Sequence, residues 1–211
     1  MNRHLLLLAL CQGLFLTNNV VFIAVNGLVG LSLAPQSWMA TLPVTGYVVG
    51  GALSAGLVAT TQRRWGRKRS FQFGLVVAAL SAALCAYAAI TMNFWLLVAA
   101  TVIAGYYNAN AALYRFAGPE LVAPALKERA ISLVLAGGIV GAFAGPNLAN
   151  ATRSMMEVPF AAAYVALVVV ALLSLAALSM IRSRRMWRPK PATAVAGPWP
   201  SSRASPSSLS P

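Results

Sequence analysis

The sequence is short of acidic residues and of charge in general. Three Asp and Glu residues stand against sixteen Lys and Arg in 211 residues, and charged residues make up 9% of the chain. A soluble domain carries about 25% charged residues, so this chain could not cover a water-facing surface. Because 59% of the residues are hydrophobic, the composition predicts a protein whose solvent is the lipid bilayer.

Histidine and cysteine are nearly absent as well. The one histidine, His4, is close to the N-terminus, and the two cysteines, Cys11 and Cys85, lie inside apolar runs. A disulfide framework or a zinc site needs more cysteines or spaced histidines. Acid–base catalysis needs titratable partners, and no Asp, Glu, Lys or His lies in the interior of a predicted span. The sequence therefore predicts no metal site, no cofactor and no enzyme activity.

The basic residues are grouped in short clusters at the ends of apolar runs. Residues 62–70 read Q-R-R-W-G-R-K-R-S, with a long apolar run on either side. A charged side chain at the bilayer centre costs about 2.5–3.5 kcal/mol, and basic loops stay in the cytoplasm. The net charge of +13 is therefore typical of a membrane protein, and no nucleic-acid partner is predicted.

Six apolar runs are long enough to cross a hydrocarbon core of about 30 Å. They cover residues 5–31, 38–61, 71–90, 95–114, 130–149 and 159–181. A cleaved signal peptide is the alternative for the first run, but its apolar character extends well past an h-region and no A-x-A site ends it. The predicted fold class is an all-α polytopic protein of a bacterial inner membrane. The basic clusters predict that both termini are cytoplasmic.

The last part of the chain differs in composition from the six-span domain of residues 1–186. Residues 187–211 are rich in proline and serine and contain almost no apolar run. Such a segment cannot bury enough surface to offset its ordering entropy, so a disordered cytoplasmic tail is predicted. The alternative is translation in the wrong frame after a deletion, or read-through into foreign sequence.

Asparagines interrupt the first and the fourth span. They include Asn18 and Asn19 in the first span and Asn108 and Asn110 in the fourth. An amide in lipid is unfavourable unless it faces protein or a wet cavity. Two interpretations stay open. These side chains line a polar path for a solute, or they hold the bundle together by hydrogen bonds between helices.

The fifth span carries small residues at regular spacing. From Gly137 to Pro146 it reads G-G-I-V-G-A-F-A-G-P, which places Gly137, Gly141 and Gly145 four residues apart. Glycines at this spacing let a neighbouring helix approach closely, and the proline favours a kink. The pattern predicts a packing ridge on one face of the fifth helix.

In combination these stretches resemble the major facilitator superfamily of secondary transporters. The loop between the second and third helices of that family carries G-x-x-x-D-R-x-G-R-R/K, and R-W-G-R-K at residues 64–68 is similar to its second part. Two positions depart from the motif, because Arg63 stands at the Asp position and Ala59 at the leading Gly. The acidic latch of the family must therefore be differently built in this chain.

Two further stretches add to the resemblance. Residues 141–149 are similar to the fifth-helix motif G-x-x-x-G-P-x-x-G of proton-coupled antiporters, with Ala149 in place of the last glycine. Arg115 and Arg129, which flank the cytoplasmic loop after the fourth span, lie in stretches similar to bacterial members. The resemblance implies a gating loop formed by Arg63, Arg64, Gly66, Arg67 and Lys68.

The resemblance covers residues 1–185 and corresponds to the N-terminal half of the family fold. Family members contain two six-helix halves around a midplane cavity, and alternating access rocks one half against the other. The implied function is movement of a small solute across the lipid bilayer. The fifth-helix motif points to proton-coupled efflux.

Three arrangements would reconcile a single half with this mechanism. The favoured one is a truncated or frameshifted product without transport activity, because the composition changes where the central linker would begin. The chain could instead form a homodimer, or pair with a separately encoded second half. A different class of function is a non-transporting six-helix membrane subunit or an inactive remnant.

Overall fold

Six long helices run up and down in the computed structural model, which describes residues 3–122, 124–152, 155 and 160–181. They are α1 (Arg3–Leu33), α2 (Leu42–Trp65), α3 (Arg67–Ile90), α4 (Phe94–Ala111), then, after the four-residue helix α5 (Tyr114–Ala117), α6 (Lys127–Thr152) and α7 (Ala161–Ser179). Short 3-10 turns cover Ser37–Thr41, Gly118–Leu121 and Pro124–Leu126. Each long helix belongs to a segment long and apolar enough to span a membrane. The prediction of an all-α, six-span membrane protein is confirmed.

The stretch at residues 62–70, which the sequence predicted to be a loop, is helical on both sides of one residue. Helix α2 extends through Arg63 and Arg64 to Trp65, and α3 begins at Arg67. The connecting residue, Gly66, has a φ of 79°, which glycine adopts without steric cost. Arginines in the last turn of α2 also interact favourably with the negative end of its dipole. The loop is therefore a one-residue turn.

The predicted bounds also differ after the fourth span. Helix α4 ends at Ala111, and the region that was expected to be an irregular loop holds α5 and the 3-10 turns. Helix α6 begins at Lys127, earlier than predicted, and continues past Pro146 to Thr152. Lys127 and Glu128 can enter the helix because its first turn lies at the polar end of the bundle, where water solvates them.

Helix α1 occupies the centre of the bundle. It packs mainly on α6 and α7, while α2 packs on α4, and α3 packs on α4 and α7. The buried side chains form two clusters along the bundle axis. One cluster includes Leu8, Phe71 and Tyr114, and the other includes Val21 and Tyr164. Because lipid gives no hydrophobic driving force between helices, close packing of this kind holds the spans together.

The glycine ridge of α6 lies directly against α1. A Cβ atom added at Gly141 would overlap the backbone of Gly13, and one added at Gly137 would overlap the backbone of Ala9. The hydroxyl of Thr17 lies 3.0 Å from the carbonyl oxygen of Gly141 and can donate to it across the same contact. The structure thus places the ridge where two helix backbones touch.

The charged side chains are concentrated at one end of the bundle, which we call the basic end. It carries Arg3, Arg63, Arg64, Arg67, Lys68, Arg69, Arg115, Lys127 and Arg129. At the opposite end, the residues described include no Lys, Arg, Asp or Glu, although the predicted outer-loop residues Arg153 and Glu157 lie outside them. The predicted tail, residues 187–211, also lies outside the described residues.

Exposed tryptophans mark the two membrane boundaries. Trp38 and Trp95 are exposed at the uncharged end, and Trp65 is exposed at the basic end. Tryptophan is enriched at the two membrane–water interfaces, where its ring is apolar and its N–H remains hydrated. The bilayer therefore lies between these rings, and the basic end is the one that the positive-inside rule predicts to be cytoplasmic.

The α1–α6 contact generates a stability prediction. Gly141→Ala should destabilise the protein in detergent by about 1–3 kcal/mol, the usual penalty of overpacking, because the new methyl group meets backbone that cannot move aside. The measurement is the thermal unfolding midpoint. Gly27→Ala is the matched control, since a Cβ at Gly27 in α1 meets nothing within 4 Å. Equal midpoints for the two variants would contradict the packing role.

Candidate functional site

The turn between α2 and α3 carries an ion pair to the segment after α4. An Nη2 atom of Arg67 lies 3.3 Å from Oε1 of Glu120, and each side chain is 26% exposed. Glu120 belongs to the 3-10 turn Gly118–Leu121. The pair therefore joins the α2–α3 turn to the connection between α4 and α6, at a depth where water only partly screens it.

Lys68 binds a different element from the same turn. Its ammonium group donates to the carbonyl oxygens of Ser179, at 3.0 Å, and Ile181, at 2.6 Å. Ser179 is the last residue of α7 and Ile181 lies two residues beyond it. The last carbonyls of a helix lack intrahelical donors, so a cation there satisfies them and interacts with the helix dipole. Gln72 supports the contact by donating to the Ser179 hydroxyl at 3.1 Å. One short turn thus touches both the α4–α6 connection and the end of α7.

A network of uncharged hydrogen bonds lies just inside the turn. Thr61 Oγ1 lies 2.8 Å from the hydroxyl of Tyr106 and 3.1 Å from that of Ser70. Asn110 Nδ2 donates to the carbonyl oxygen of Ser70 at 2.7 Å, and its Oδ1 accepts from Gln62 at 3.1 Å. The network joins the ends of α2, α3 and α4, so these three helix ends are held as one unit.

The predicted asparagines separate into two groups. Asn110 is buried in the network described above, and the buried Asn18 donates to the carbonyl oxygen of Leu167 on α7 at 3.4 Å. Both therefore bond neighbouring helices. Asn19 and Asn108 are only partly buried, and the Asn19 amide donates to Asn108 Oδ1 at 3.1 Å between α1 and α4. This pair remains the candidate for a cavity lining.

Aromatic pairs flank the Asn19–Asn108 contact on both sides. Along α1, Phe15 packs edge-on against Tyr107 of α4 with ring centroids 5.7 Å apart, and Phe22 packs against Tyr47 of α2 at 4.7 Å. Phe15, Asn19 and Phe22 share one face of α1 because they are spaced by four and three residues. We define the asparagine layer as Asn19 and Asn108 together with these two aromatic pairs, Phe15–Tyr107 and Phe22–Tyr47.

Unpaired polar atoms are buried in the same layer. The hydroxyls of Tyr47 and Tyr107 have no hydrogen-bond partner in the part of the chain that the structure describes. A buried polar group left without a partner costs about 1–3 kcal/mol. A bound molecule that presents complementary polar atoms would recover that free energy, so these two hydroxyls are candidates for contact with a polar solute.

Sequence reasoning identified the turn but missed its partners. Glu120 was not singled out, although its rarity as one of three acidic residues was an available signal. Ser70 and Tyr106 gave no signal, because nothing in their spacing shows that they meet. The structure does not join Arg115 and Arg129 to the turn by any hydrogen bond or ion pair within the residues described. Arg115 is exposed and lies over the Phe116 ring at 5.0 Å.

Three named transporters are similar in sequence to this chain. The chain is 31% identical over 185 residues to the riboflavin transporter RfnT of Brucella anthropi, a match that covers 87% of this chain and 46% of that protein. Two MFS-type transporters of Bacillus subtilis named as uncharacterized, YdeG and YddS, are 29% and 28% identical over 128 residues. Those matches cover 61% of this chain and 30% and 29% of the relatives.

The matches cover most of this chain but less than half of each relative. This chain spans less than half the length of the curated relatives it matches. The sequence model described as Major Facilitator Superfamily matches residues 5–210, which is almost the whole chain. Together with the six-span helical fold, this match shows that the chain belongs to the major facilitator superfamily.

Proposed function

We propose that this chain forms one six-helix half of a transporter that moves a small neutral solute by alternating access. The observation that carries the proposal is the asparagine layer, in which Asn19 and Asn108 meet between α1 and α4 beside buried, unpaired tyrosine hydroxyls. Within the spans described, no Asp, Glu, Lys or His side chain lies near this layer. A charged solute would lack a counter-charge there, whereas a neutral one would find amides and hydroxyls.

Riboflavin is the first solute to test. One relative is named as a riboflavin transporter, and the flavin ring is planar, uncharged and rich in hydrogen-bond donors and acceptors. The aromatic side chains of the layer suit ring stacking, and the amides suit the polar edge of the ring. The fifth-helix motif supports proton-coupled efflux. The basic clusters support a cytoplasmic location for both termini.

The α2–α3 turn is the proposed gate on the cytoplasmic side. The family's acidic residue is replaced by Arg63, and Glu120 supplies the carboxylate that Arg67 meets. Because Lys68 binds the end of α7, movement of the turn would be transmitted to the helix that leads out of the domain. Gly66 allows the sharp reversal that brings these two cations to different partners.

Transport by this unit requires a second six-helix unit. An amide exposed to lipid costs several kcal/mol. The surface of the bundle that carries the asparagine layer must therefore face protein or water. Helices α2 and α6 present large apolar side chains outward, including Leu53, Val140 and Phe143. We propose that these faces meet the second unit, which is a second copy, a separate chain or further sequence. A non-transporting subunit or a truncated, inactive product is the competing proposal.

The substrate site predicts a loss of binding in two variants. Asn19→Ala and Asn108→Ala should each weaken riboflavin binding about fivefold, the equivalent of one net hydrogen bond of about 1 kcal/mol. Binding is measured by quenching of flavin fluorescence with the purified chain in detergent. Asn150→Ala is the matched control, because Asn150 is exposed in the last turn of α6, away from the layer. Binding that survives both substitutions would remove the layer as the site.

The gate predicts coupled effects on flux. In the assembly that transports, Arg67→Ala and Glu120→Ala should each lower the rate, and the double variant should lose less than the sum, with a coupling of about 0.5–3 kcal/mol. The measurement is solute flux in proteoliposomes. Arg69→Ala is the control, since Arg69 is exposed in the first turn of α3 and forms no ion pair within the residues described. Unchanged flux in Arg67→Ala would end the case for gating by this turn.

The requirement for a second unit predicts the mass of the purified protein. If a second copy completes the transporter, light scattering in mild detergent should give twice the chain mass of 22.1 kDa after subtraction of detergent. Copurification with another six-helix chain would favour a separate partner. A monomer that aggregates over time would instead support the inactive product.

A further inference from the structure

A cavity of about 490 Å³ opens between α2 and α4 at the basic end. Its wall is apolar and includes Ala55, Val58 and Ala59 of α2 together with Leu113. Arg63 and Arg67 line the same cavity. The cavity therefore combines a long apolar wall with two guanidinium groups that belong to the proposed gate, and gating alone does not explain the apolar wall.

The two arginines carry more positive charge than the described chain neutralises. Arg63 is exposed and takes part in no ion pair within the residues described. Arg67 uses Nη2 for Glu120, while its Nη1 is buried without a hydrogen-bond partner in the same part of the chain. Glu120 offsets one of the two charges, and the surrounding end of the bundle is strongly basic. The cavity thus carries a net positive charge and favours an anion.

The arginines and the apolar wall of the cavity lie at different depths in the bilayer. Arg63 lies two residues before Trp65, whose exposed ring marks the membrane–water boundary. Ala55 lies eight residues earlier in α2, which places it about 12 Å deeper at 1.5 Å per residue. The guanidinium groups therefore lie at headgroup level, and the apolar wall extends into the hydrocarbon.

We propose that this cavity binds an anionic phospholipid. The lipid phosphate would accept hydrogen bonds from Arg63 and from Nη1 of Arg67, and one acyl chain would cover the wall formed by Ala55, Val58 and Ala59. Basic pockets between transmembrane helices on the cytoplasmic side are known to bind anionic headgroups. A free phosphate ion would pair the arginines but leave the apolar wall bare, so the lining fits a lipid better. The site does not depend on what the protein transports.

Native mass spectrometry of the full purified chain tests the proposal. The protein is titrated with phosphatidylglycerol and, separately, with phosphatidylcholine of the same acyl chains. We expect preferential binding of phosphatidylglycerol, and an affinity about fivefold lower in Arg63→Gln, the effect of one basic residue near a membrane surface. Arg64→Gln removes the same charge from the neighbouring residue, which does not line the cavity, and should leave the affinity nearly unchanged.

A second variant tests the apolar wall without changing charge. Ala59→Phe places a ring in the cavity and should also lower the affinity for phosphatidylglycerol, while inorganic phosphate at millimolar concentration should not displace the lipid. Ala59 is exposed in the described chain, so the larger side chain should not prevent folding.

Three results would overturn the assignment. Equal losses in Arg63→Gln and Arg64→Gln would show general attraction between a basic surface and acidic lipid. Displacement by phosphate, with no effect of Ala59→Phe, would show a site for a small anion. A dimer that forms without lipid and is lost in Arg63→Gln would show that an acidic or carbonyl group of a second copy fills the cavity.

Discussion

A bilayer offers no water to an amide or a hydroxyl, so each polar side chain within a span must find its partner in the bundle or in a bound molecule. Most of the polar side chains described here bond a partner within the bundle. Asn110 joins three helix ends, and Asn26 accepts from the Tyr164 hydroxyl at 2.9 Å between α1 and α7. The exceptions include the hydroxyls of Tyr47 and Tyr107, which are buried without such a partner in the described residues. These exceptions locate the asparagine layer.

The same constraint explains why close helix contact and polar contact occur together. Glycine at Gly13 and Gly141 brings the backbones of α1 and α6 into contact, and only at that separation can Thr17 reach across to the carbonyl oxygen of Gly141. Since α1 is fixed against α6 in this way, the opposite face of α1 has a defined position relative to α4. The alignment of Asn19 with Asn108 thus depends on glycines on the other side of the helix.

The sequence predicted the number and type of the spans, because apolar length is a local property that needs no tertiary information. The charge of residues 62–70 predicts a loop, but arginine and lysine are also stable in the terminal turns of helices, and here they extend α2 and begin α3. The sequence could not sort the asparagines, since Asn18 and Asn19 are adjacent and only the helix rotation decides which one faces α7. The partner of Arg67 was also beyond reach, because Glu120 lies on a segment whose fold depends on the rest of the bundle.

The exchange of an acidic residue for Arg63 changes the electrostatic problem at the basic end. In the family pattern, the acidic residue of this turn offsets part of the charge of the arginines that follow it. Here the charged residues of the turn are all cationic. Arg67 pairs with Glu120, and Lys68 donates to carbonyl oxygens at the end of α7 and just beyond it. Arg63 is left with none of these partners in the described chain. A turn built in this way is held by two neighbouring elements, and the anionic lipid proposed above would supply the counter-charge that Arg63 lacks among the described residues.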